Sequence, residues 1–232
     1  EEEPWAIRGL MHPAFGEPSF AEFHGSDEFL SFVDSWCGLQ PEDMGMGAML
    51  LWCNPRRNEM GPSWHRDVTW WGSGKPYFAQ KEVRGDTPED YSEEVERKRW
   101  EEIRADNKKS IAERNGVSIF LALVDDECHE VIPGSHERWR TPLEHDVLLP
   151  QAMKDAGVPH VPSWNGTDPL PGQTAIRLKA GEALVRNGAN IHTGHTVPER
   201  ERNTLSIGGS KWGGPAREEP KVADVRTAWQ LD

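Results

Sequence analysis

Short apolar runs separated by turn-forming residues dominate the pattern of this chain. Alternating or continuous apolar positions predict strands over 47–53, 63–71, 117–124, 130–132, 174–178, 181–185 and 204–207. Proline, glycine and asparagine residues interrupt the chain between these runs, as is typical of turns. Because few helical segments lie between the strands, the pattern predicts an antiparallel sandwich or barrel rather than a doubly wound α/β fold.

One amphipathic helix is predicted near the start of the chain. Its apolar side chains follow the i, i+3, i+4, i+7 spacing of a single helix face: Phe29, Phe32, Val33 and Trp36. Ser26 precedes them as a candidate N-cap, and Gly38 follows them as a stop. The spacing therefore predicts a capped amphipathic helix with these four side chains on its apolar face.

The segment 87–114 has a different pattern. It begins with a threonine–proline pair suited to a helix start, and it carries opposite charges at i, i+4 in Glu93/Arg97 and Glu94/Lys98. Its apolar residues are sparse, so we predict a long, mostly exposed helix inserted between strands. A solvated helix and a mobile lid over a site are both compatible with this pattern.

Composition narrows the class of protein. The chain has 232 residues, which fits a single domain over 1–232 with the helical insertion at 87–114. Its net charge of −13 disfavours nucleic acid and anionic membranes as partners, and no apolar run is long enough for a membrane span. The three cysteines are far apart, which favours a reducing compartment over a disulfide scaffold. We therefore expect a cytoplasmic protein that binds a small molecule.

Candidate chemistry begins with a histidine and a carboxylate in the second predicted strand. His65 and Asp67 are two residues apart, so a strand would direct both side chains to one face. A second histidine from a distant strand would complete the two-histidine, one-carboxylate arrangement of non-haem Fe(II) oxygenases. His192 and His195 are the two candidates for it. The His-x-Asp pattern alone also occurs in structural roles.

An arginine follows these histidines. In a strand, Arg202, Thr204 and Ser206 share one face. A buried guanidinium beside a hydroxyl suits a carboxylate, because it offers a planar fork of donors and one further hydrogen bond. The order His-x-Asp, distant histidine, then arginine is typical of a metal- and 2-oxoglutarate-dependent oxygenase.

Four segments, in order, resemble motifs of the phytanoyl-CoA dioxygenase family of Fe(II)/2-oxoglutarate oxygenases. Segment 64–67 resembles W-H-x-D, and 122–126 followed by 131–136 resembles A-L-x-D-D and V-I-P-G-S-H. Segments 181–184 and 191–192 are similar to G-D-x-L and L-H-x-G, and 202–206 is similar to R-x-x-L-S. The resemblance implies a mainly β double-stranded β-helix, a cupin-like jelly roll with flanking helices.

The resemblance also implies which residues bind the metal. His65, Asp67 and His192 would hold Fe(II) and form the catalytic centre. His192 is preferred to His195 because it follows the end of an apolar strand, as the family's ligand does. Halogenating relatives replace the carboxylate with a small residue, so the presence of Asp67 implies hydroxylation or another oxidation.

The cosubstrate contacts are carried over in the same way. Arg202 would pair with the distal carboxylate of 2-oxoglutarate, Thr204 would assist it, and Asn115 would be a further contact. The implied activity is that of a dioxygenase that consumes O2 and 2-oxoglutarate. It would release succinate and CO2 while oxidising, most simply hydroxylating, a small organic metabolite.

Two further residues are candidate substrate contacts. Trp71 shares the strand face of Asp67, so it would either wall a substrate pocket or pack in the core. His136 lies in a Pro-Gly-Ser-His turn, where it would either touch substrate or hydrogen-bond the backbone. The remaining histidines have no partner at a ligand spacing and are predicted to be surface or structural: His12, His24, His129, His145 and His160.

Two other functions remain as alternatives. Two histidines and a carboxylate also bind zinc, so a non-oxidative hydrolase or isomerase on a cupin-like barrel is possible. A catalytically inactive binding protein of the same fold is the other alternative. Arg202 favours the oxygenase over the hydrolase, because a hydrolase has no need of an arginine beyond the last ligand.

Overall fold

Eight strands form two antiparallel sheets in the residues that the computed structural model describes, which are 6–40, 49–53, 64–66, 92–105, 116–149, 154–155, 157, 168–195 and 201–209. The strands are β1 (Ala6–Arg8), β2 (Met49–Cys53), β3 (Val117–Ala122), β4 (Asp126–Val131), β5 (Thr174–Leu178), β6 (Ala183–Asn187), β7 (His192–Gly194) and β8 (Asn203–Gly209). Four α-helices accompany them in these residues: α1 (Ser19–His24), α2 (Asp27–Phe32), α3 (Glu93–Ala105) and α4 (Pro142–Leu148).

The strand order is that of a jelly roll. The larger sheet has the order β1-β2-β8-β3-β6, and the smaller sheet has the order β5-β4-β7. An isolated bridge between His65 and His192 adds segment 64–66 to the free side of β7. Segment 64–66, β7, β4 and β5 thus face β2, β8, β3 and β6, which is the pairing of eight strands in a jelly roll. The predicted mainly β fold is confirmed.

The main hydrophobic core lies between α1, α2 and the outer face of the larger sheet. Strand β8 contributes Leu205 and Ile207, which pack with Ile119 of β3 and with Phe29 and Val33 from the helical segment. The opposite face of β8 turns toward the smaller sheet, where buried Thr204 donates a hydrogen bond to Asp126 of β4. The alternation predicted for 202–207 therefore separates an apolar outer face from a polar inner one.

The predicted helix near residue 26 is present but changes its geometry midway. Ser26 Oγ accepts the Phe29 N–H at 3.3 Å, which caps α2, and a π-helical turn then covers Val33–Cys37. A π turn adds a residue to each repeat, so it shifts the face that the following side chains occupy. Cys37 is buried, whereas Trp36 is 79% exposed. The expectation that Trp36 joins the buried face is wrong for this reason.

Helix α3 is the described part of the predicted insertion. Most of its described side chains are exposed, but Trp100 is buried and meets Trp139 edge to face with ring centroids 5.9 Å apart. Arg104 Nη2 lies 2.6 Å from Glu137 Oε2 on the same neighbouring segment. The flanks 87–91 and 106–114 lie outside the described residues, so the lid hypothesis stays a prediction. None of the described helices is long and apolar enough to cross a membrane.

A second, smaller core supports segment 64–66 and β7. Trp64, Ile132, Leu170 and Ile191 are buried together, and the apolar side of α4 packs against them. Helix α4 begins with a capping box between Thr141 and Glu144. Buried Glu144 also binds Arg138 through two bonds of 2.6 and 2.7 Å. This core holds Trp64 and Ile191, the residues that immediately precede the two predicted histidine ligands.

Buried His24 predicts a pH-dependent stability. Burial lowers the pKa of His24 from 6.5 to about 4, so the unfolded chain takes up this proton before the folded chain does. The free energy of unfolding is therefore highest above pH 6.5. It decreases as the pH falls toward 4, by at most about 3 kcal/mol. His24→Leu should flatten the dependence of the free energy of unfolding on pH over this range.

Urea titrations of wild type and His24→Leu at several pH values between 4 and 7 measure this effect. Val33→Ala is the control, since it weakens the hydrophobic core of the same helical region without removing a titratable group, so its pH dependence should match that of wild type. An equally steep pH dependence in His24→Leu and wild type would contradict the prediction.

Candidate metal and cosubstrate site

Two of the three predicted metal ligands face each other across neighbouring strands. The His65 N–H donates to the His192 carbonyl at 2.8 Å, and the His192 N–H donates to the His65 carbonyl at 2.9 Å. Directly opposed residues of an antiparallel pair project their side chains to the same side. The two imidazole centroids are accordingly 4.1 Å apart. His192 is buried and His65 is exposed, so the pair lies at an open edge of the sandwich.

The His192 ring is oriented by its own backbone. Its Nδ1 lies 2.9 Å from the Asn190 carbonyl oxygen. A carbonyl only accepts, so Nδ1 must carry the proton and Nε2 must hold a lone pair. Metal-binding histidines in proteins are commonly held by such a bond from the second ring nitrogen. The tautomer that this contact implies therefore suits metal binding through Nε2.

The third predicted ligand lies outside the described residues. Asp67 follows His65 by two positions, but its placement is not described. Within the described ranges no group of three histidine, cysteine, aspartate or glutamate side chains could hold a metal. The described part of the chain thus supplies the two imidazoles of the predicted triad side by side, and the Nδ1 contact of His192 is compatible with a metal bound through its Nε2.

Arg202 and Thr204 both contact a carboxylate of the protein itself, that of Asp126. Arg202 Nε lies 3.2 Å from Asp126 Oδ2, and the Thr204 hydroxyl donates to the same oxygen. The Cys128 N–H donates to Asp126 Oδ1 at 2.7 Å. The Arg202 and Asp126 side chains are 5% and 3% exposed, so this ion pair is buried between the sheets. A buried charge is tolerated when it is paired and hydrogen-bonded in this way.

These partners keep Asp126 ionised. Burial by itself raises the pKa of Asp126, but Arg202, the Thr204 hydroxyl and the Cys128 N–H together hold that pKa below its ordinary value. The adjacent Asp125 is exposed and binds Lys179 at 2.7 Å. The sequence offers no signal that separates these two aspartates, since the distinction arises only when β4 faces β8.

Arg202 also reaches the strand that carries His192. Its Nη1 donates to the His195 carbonyl at 3.4 Å, while Nη2 makes no hydrogen bond with the described residues. Three residues of extended chain separate His195 from His192, which is roughly 10 Å. The contact of Arg202 and the His192 imidazole are therefore separated by about the length of β7.

His129 is an inner residue that the sequence spacing does not reveal. Its ring is buried, stacks on the His192 ring at 5.6 Å, and lies 4.7 Å from the Phe120 ring of the facing sheet. It occupies this position because β4 pairs with β7, with Val131 opposite His192 and His129 opposite Gly194. A surface position for His129 is therefore excluded.

The other predicted site residues fall in different places. His136 is half-buried in the 3₁₀ turn after β4, and its Nε2 lies 3.2 Å from Glu137 Oε1. Trp71 and Asn115 lie outside the described residues, so their predicted contacts with substrate and cosubstrate stay predictions. His195 continues the pairing of β7, since its N–H donates to the Cys128 carbonyl at 3.0 Å.

Comparison with known proteins gives distant structural likenesses. No family model and no curated protein sequence match the chain, so membership of the phytanoyl-CoA dioxygenase family stays a prediction. The chain is similar to HygX from Streptomyces hygroscopicus with nickel and 2-oxoglutarate bound, at 14% identity over 91% of this chain and 72% of that chain, with a TM-score of 0.47. It is similar to EctD from S. alaskensis with bound Fe, at 15% identity over 90% of this chain and 58% of that chain, with a TM-score of 0.48.

A third similar structure is the non-heme alpha ketoglutarate dependent epimerase SnoN from nogalamycin biosynthesis. The identity is 11% over 88% of this chain, and the TM-score is 0.44. The chain spans 62% of the length of SnoN and 36% of the length of EvdMO1, another similar structure.

The buried ion pair predicts unequal roles for two adjacent aspartates. Asp126→Asn removes the negative charge opposite buried Arg202, so it should lower the free energy of unfolding by about 3–5 kcal/mol. Asp125→Asn is the matched control, because Asp125 is exposed and its partner Lys179 is too. Denaturant unfolding of both variants at pH 7 measures the difference. Equal losses in the two variants would show that the Asp126–Arg202 pair does not stabilise the fold.

Proposed function

We propose that this protein is an Fe(II)- and 2-oxoglutarate-dependent dioxygenase that hydroxylates a small organic molecule and releases succinate and CO2. The observation that carries the proposal is the pairing of His65 with His192. Their ring centroids lie 4.1 Å apart, and the contact of His192 Nδ1 with the Asn190 carbonyl assigns the proton to Nδ1, which gives Nε2 the lone pair that a metal ligand needs. The sequence supplies a carboxylate, Asp67, two residues after His65.

In this proposal His65, Asp67 and His192 hold the iron. Two histidines and one carboxylate leave three positions of an octahedral ion open, which is the arrangement used by non-haem Fe(II) oxygenases. The bound iron, with 2-oxoglutarate and O2, supplies the oxidising power for cleavage of a substrate C–H bond. The chain itself contributes the orientation of the ligands and the exclusion of bulk water.

Arg202 has the position expected of a cosubstrate anchor. Its contact with the His195 carbonyl puts the guanidinium roughly 10 Å along β7 from His192. A five-carbon diacid that binds a metal through one end can reach that far with its other carboxylate. Nη2 of Arg202 is the donor left for it, since Nε is engaged by Asp126. The buried rings of His129 and Phe120 lie 4.7 Å apart, and the His129 ring stacks on that of His192.

One observation favours the second candidate function. Arg202 is already neutralised by Asp126, so its burial needs no ligand carboxylate. In a zinc hydrolase or isomerase, or in an inactive binding protein, the same ion pair would serve only to join β4 to β8. The affinity for 2-oxoglutarate separates these functions, because only the oxygenase requires it.

The metal assignment predicts the outcome of three histidine substitutions. His65→Ala and His192→Ala should each abolish Fe(II) binding under anaerobic conditions, because each removes one of three ligands. His195→Ala is the matched control, since it removes a neighbouring histidine three positions along the same strand. Equilibrium dialysis with Fe(II), read by metal analysis, measures the effect. Retained binding in His192→Ala with loss in His195→Ala would make the assignment wrong.

The cosubstrate assignment predicts that Arg202 sets the affinity for 2-oxoglutarate and not that for the metal. A charge-assisted hydrogen bond is worth roughly 1.5–3 kcal/mol, so Arg202→Ala should weaken 2-oxoglutarate by about 10- to 100-fold. Arg202→Lys keeps the charge opposite Asp126 but loses the planar fork, so it should give an intermediate affinity.

Titration of 2-oxoglutarate into the anaerobic Fe(II) protein, followed by the metal-to-ligand charge-transfer band, gives these affinities. The Fe(II) affinity of each variant is the internal control and should match wild type. An unchanged 2-oxoglutarate affinity in both folded variants would favour the zinc enzyme or the binding protein.

A further inference from the structure

Ser135 contacts both of the segments that carry the candidate metal histidines. It is fully buried at the start of the 3₁₀ turn Ser135–Glu137. Its hydroxyl accepts the Ile191 N–H at 2.8 Å, and its carbonyl accepts Arg66 Nη2 at 3.2 Å. Ile191 immediately precedes His192, and Arg66 immediately follows His65. One residue thus binds the direct neighbour of each histidine.

The bond to Ile191 reaches the His192 ring through a single peptide group. The Ile191 N–H and the Asn190 carbonyl belong to the same planar unit, which moves as one body. Its N–H donates to Ser135 Oγ at 2.8 Å, and its carbonyl accepts His192 Nδ1 at 2.9 Å. The serine hydroxyl therefore fixes the plane of the peptide whose oxygen selects the His192 tautomer.

The Asn190–Ile191 peptide is shielded from solvent, so no water can replace the Ser135 hydroxyl as the acceptor of the Ile191 N–H. Ile191 and Ser135 are both fully buried, and the Ile191 carbonyl is occupied by the Ile132 N–H at 2.9 Å. A buried N–H without an acceptor is costly, so loss of the hydroxyl should let the peptide turn toward another acceptor or toward water. Such a turn would move the Asn190 carbonyl away from His192 Nδ1.

We infer that Ser135 is a positioning residue for the proposed metal site, acting through the Asn190–Ile191 peptide to hold the His192 ring in the tautomer with its proton on Nδ1. The identification of this site as a metal site rests on the proposed function. The hydrogen bonds that link Ser135 to His192 do not depend on that function. The Arg66 bond to the Ser135 carbonyl fixes the other histidine segment. It depends on the backbone of Ser135 and survives a change of its side chain.

Ser135→Ala tests the role of the hydroxyl, and two readouts are needed. The first is the tautomer of His192 in metal-free protein, read from ¹⁵N chemical shifts of labelled histidine and assigned with His192→Ala. The second is the affinity for Co(II), followed by its visible absorption. We expect wild type to carry the proton on Nδ1 alone, and Ser135→Ala to give mixed tautomers and a Co(II) affinity lower by about 10- to 100-fold.

Ser26→Ala is the matched control. Ser26 Oγ also accepts a backbone N–H, that of Phe29 at 3.3 Å, but at the start of α2. This variant should lower the unfolding temperature without changing the His192 tautomer or the Co(II) affinity. Ser135→Thr retains the hydroxyl and should restore both. If Ser135→Ala does not fold, Ser135→Cys takes its place, because it puts a weaker acceptor at the position of the hydroxyl.

The two readouts separate the possible failures. A wild-type tautomer and wild-type Co(II) affinity in Ser135→Ala would overturn the positioning role. If wild-type protein binds no Co(II), the proposed metal site fails. The tautomers in Ser135→Ala and wild type would in that case still decide whether the hydroxyl orients His192.

Discussion

The backbone pairing between segment 64–66 and β7 is the constraint on which the candidate site depends. Two hydrogen bonds, of 2.8 and 2.9 Å, join His65 to His192 from distant parts of the chain. Because directly opposed residues share a face, this pairing alone brings the two imidazoles within 4.1 Å. The small core around Trp64 and Ile191 lies behind the pairing and keeps the two strands in register.

The buried ion pair gives the interior its electrostatic character. Asp126 and Arg202 are each nearly inaccessible. Their removal from water is offset by their pairing, by the donors that Thr204 and Cys128 offer to Asp126, and by the His195 carbonyl that accepts from Arg202. Since the pair is neutral, a carboxylate ligand at Arg202 would share the guanidinium with Asp126. The affinity for such a ligand therefore depends on the remaining donors of Arg202 and on any metal charge nearby.

Local pattern accounts for most of the elements. Apolar periodicity identified β2, β3, β5 and β8 within a few residues, because each strand carries alternating or continuous apolar side chains. The periodicity failed at Trp36, because a π-helical turn shifts the face of the helix there. Whether a helix accommodates an extra residue in one turn depends on the side chains that pack against that turn. The periodicity also underestimated β4, whose six residues include buried Asp126 and His129 and therefore do not read as an apolar strand.

The sequence by itself determined the residue types of the site and their order along the chain. His65, His192, Arg202 and Thr204 were all identified as candidates from spacing and resemblance. Only the tertiary structure decided which of them touch, and it added partners that no spacing predicts: Asp126 beneath Arg202, His129 against His192, and Ser135 behind the Asn190–Ile191 peptide. The physical reason is that these contacts cross between strands. Strand pairing and sheet packing bring together residues that are remote in sequence. The periodicity within one segment does not indicate which segment lies opposite it.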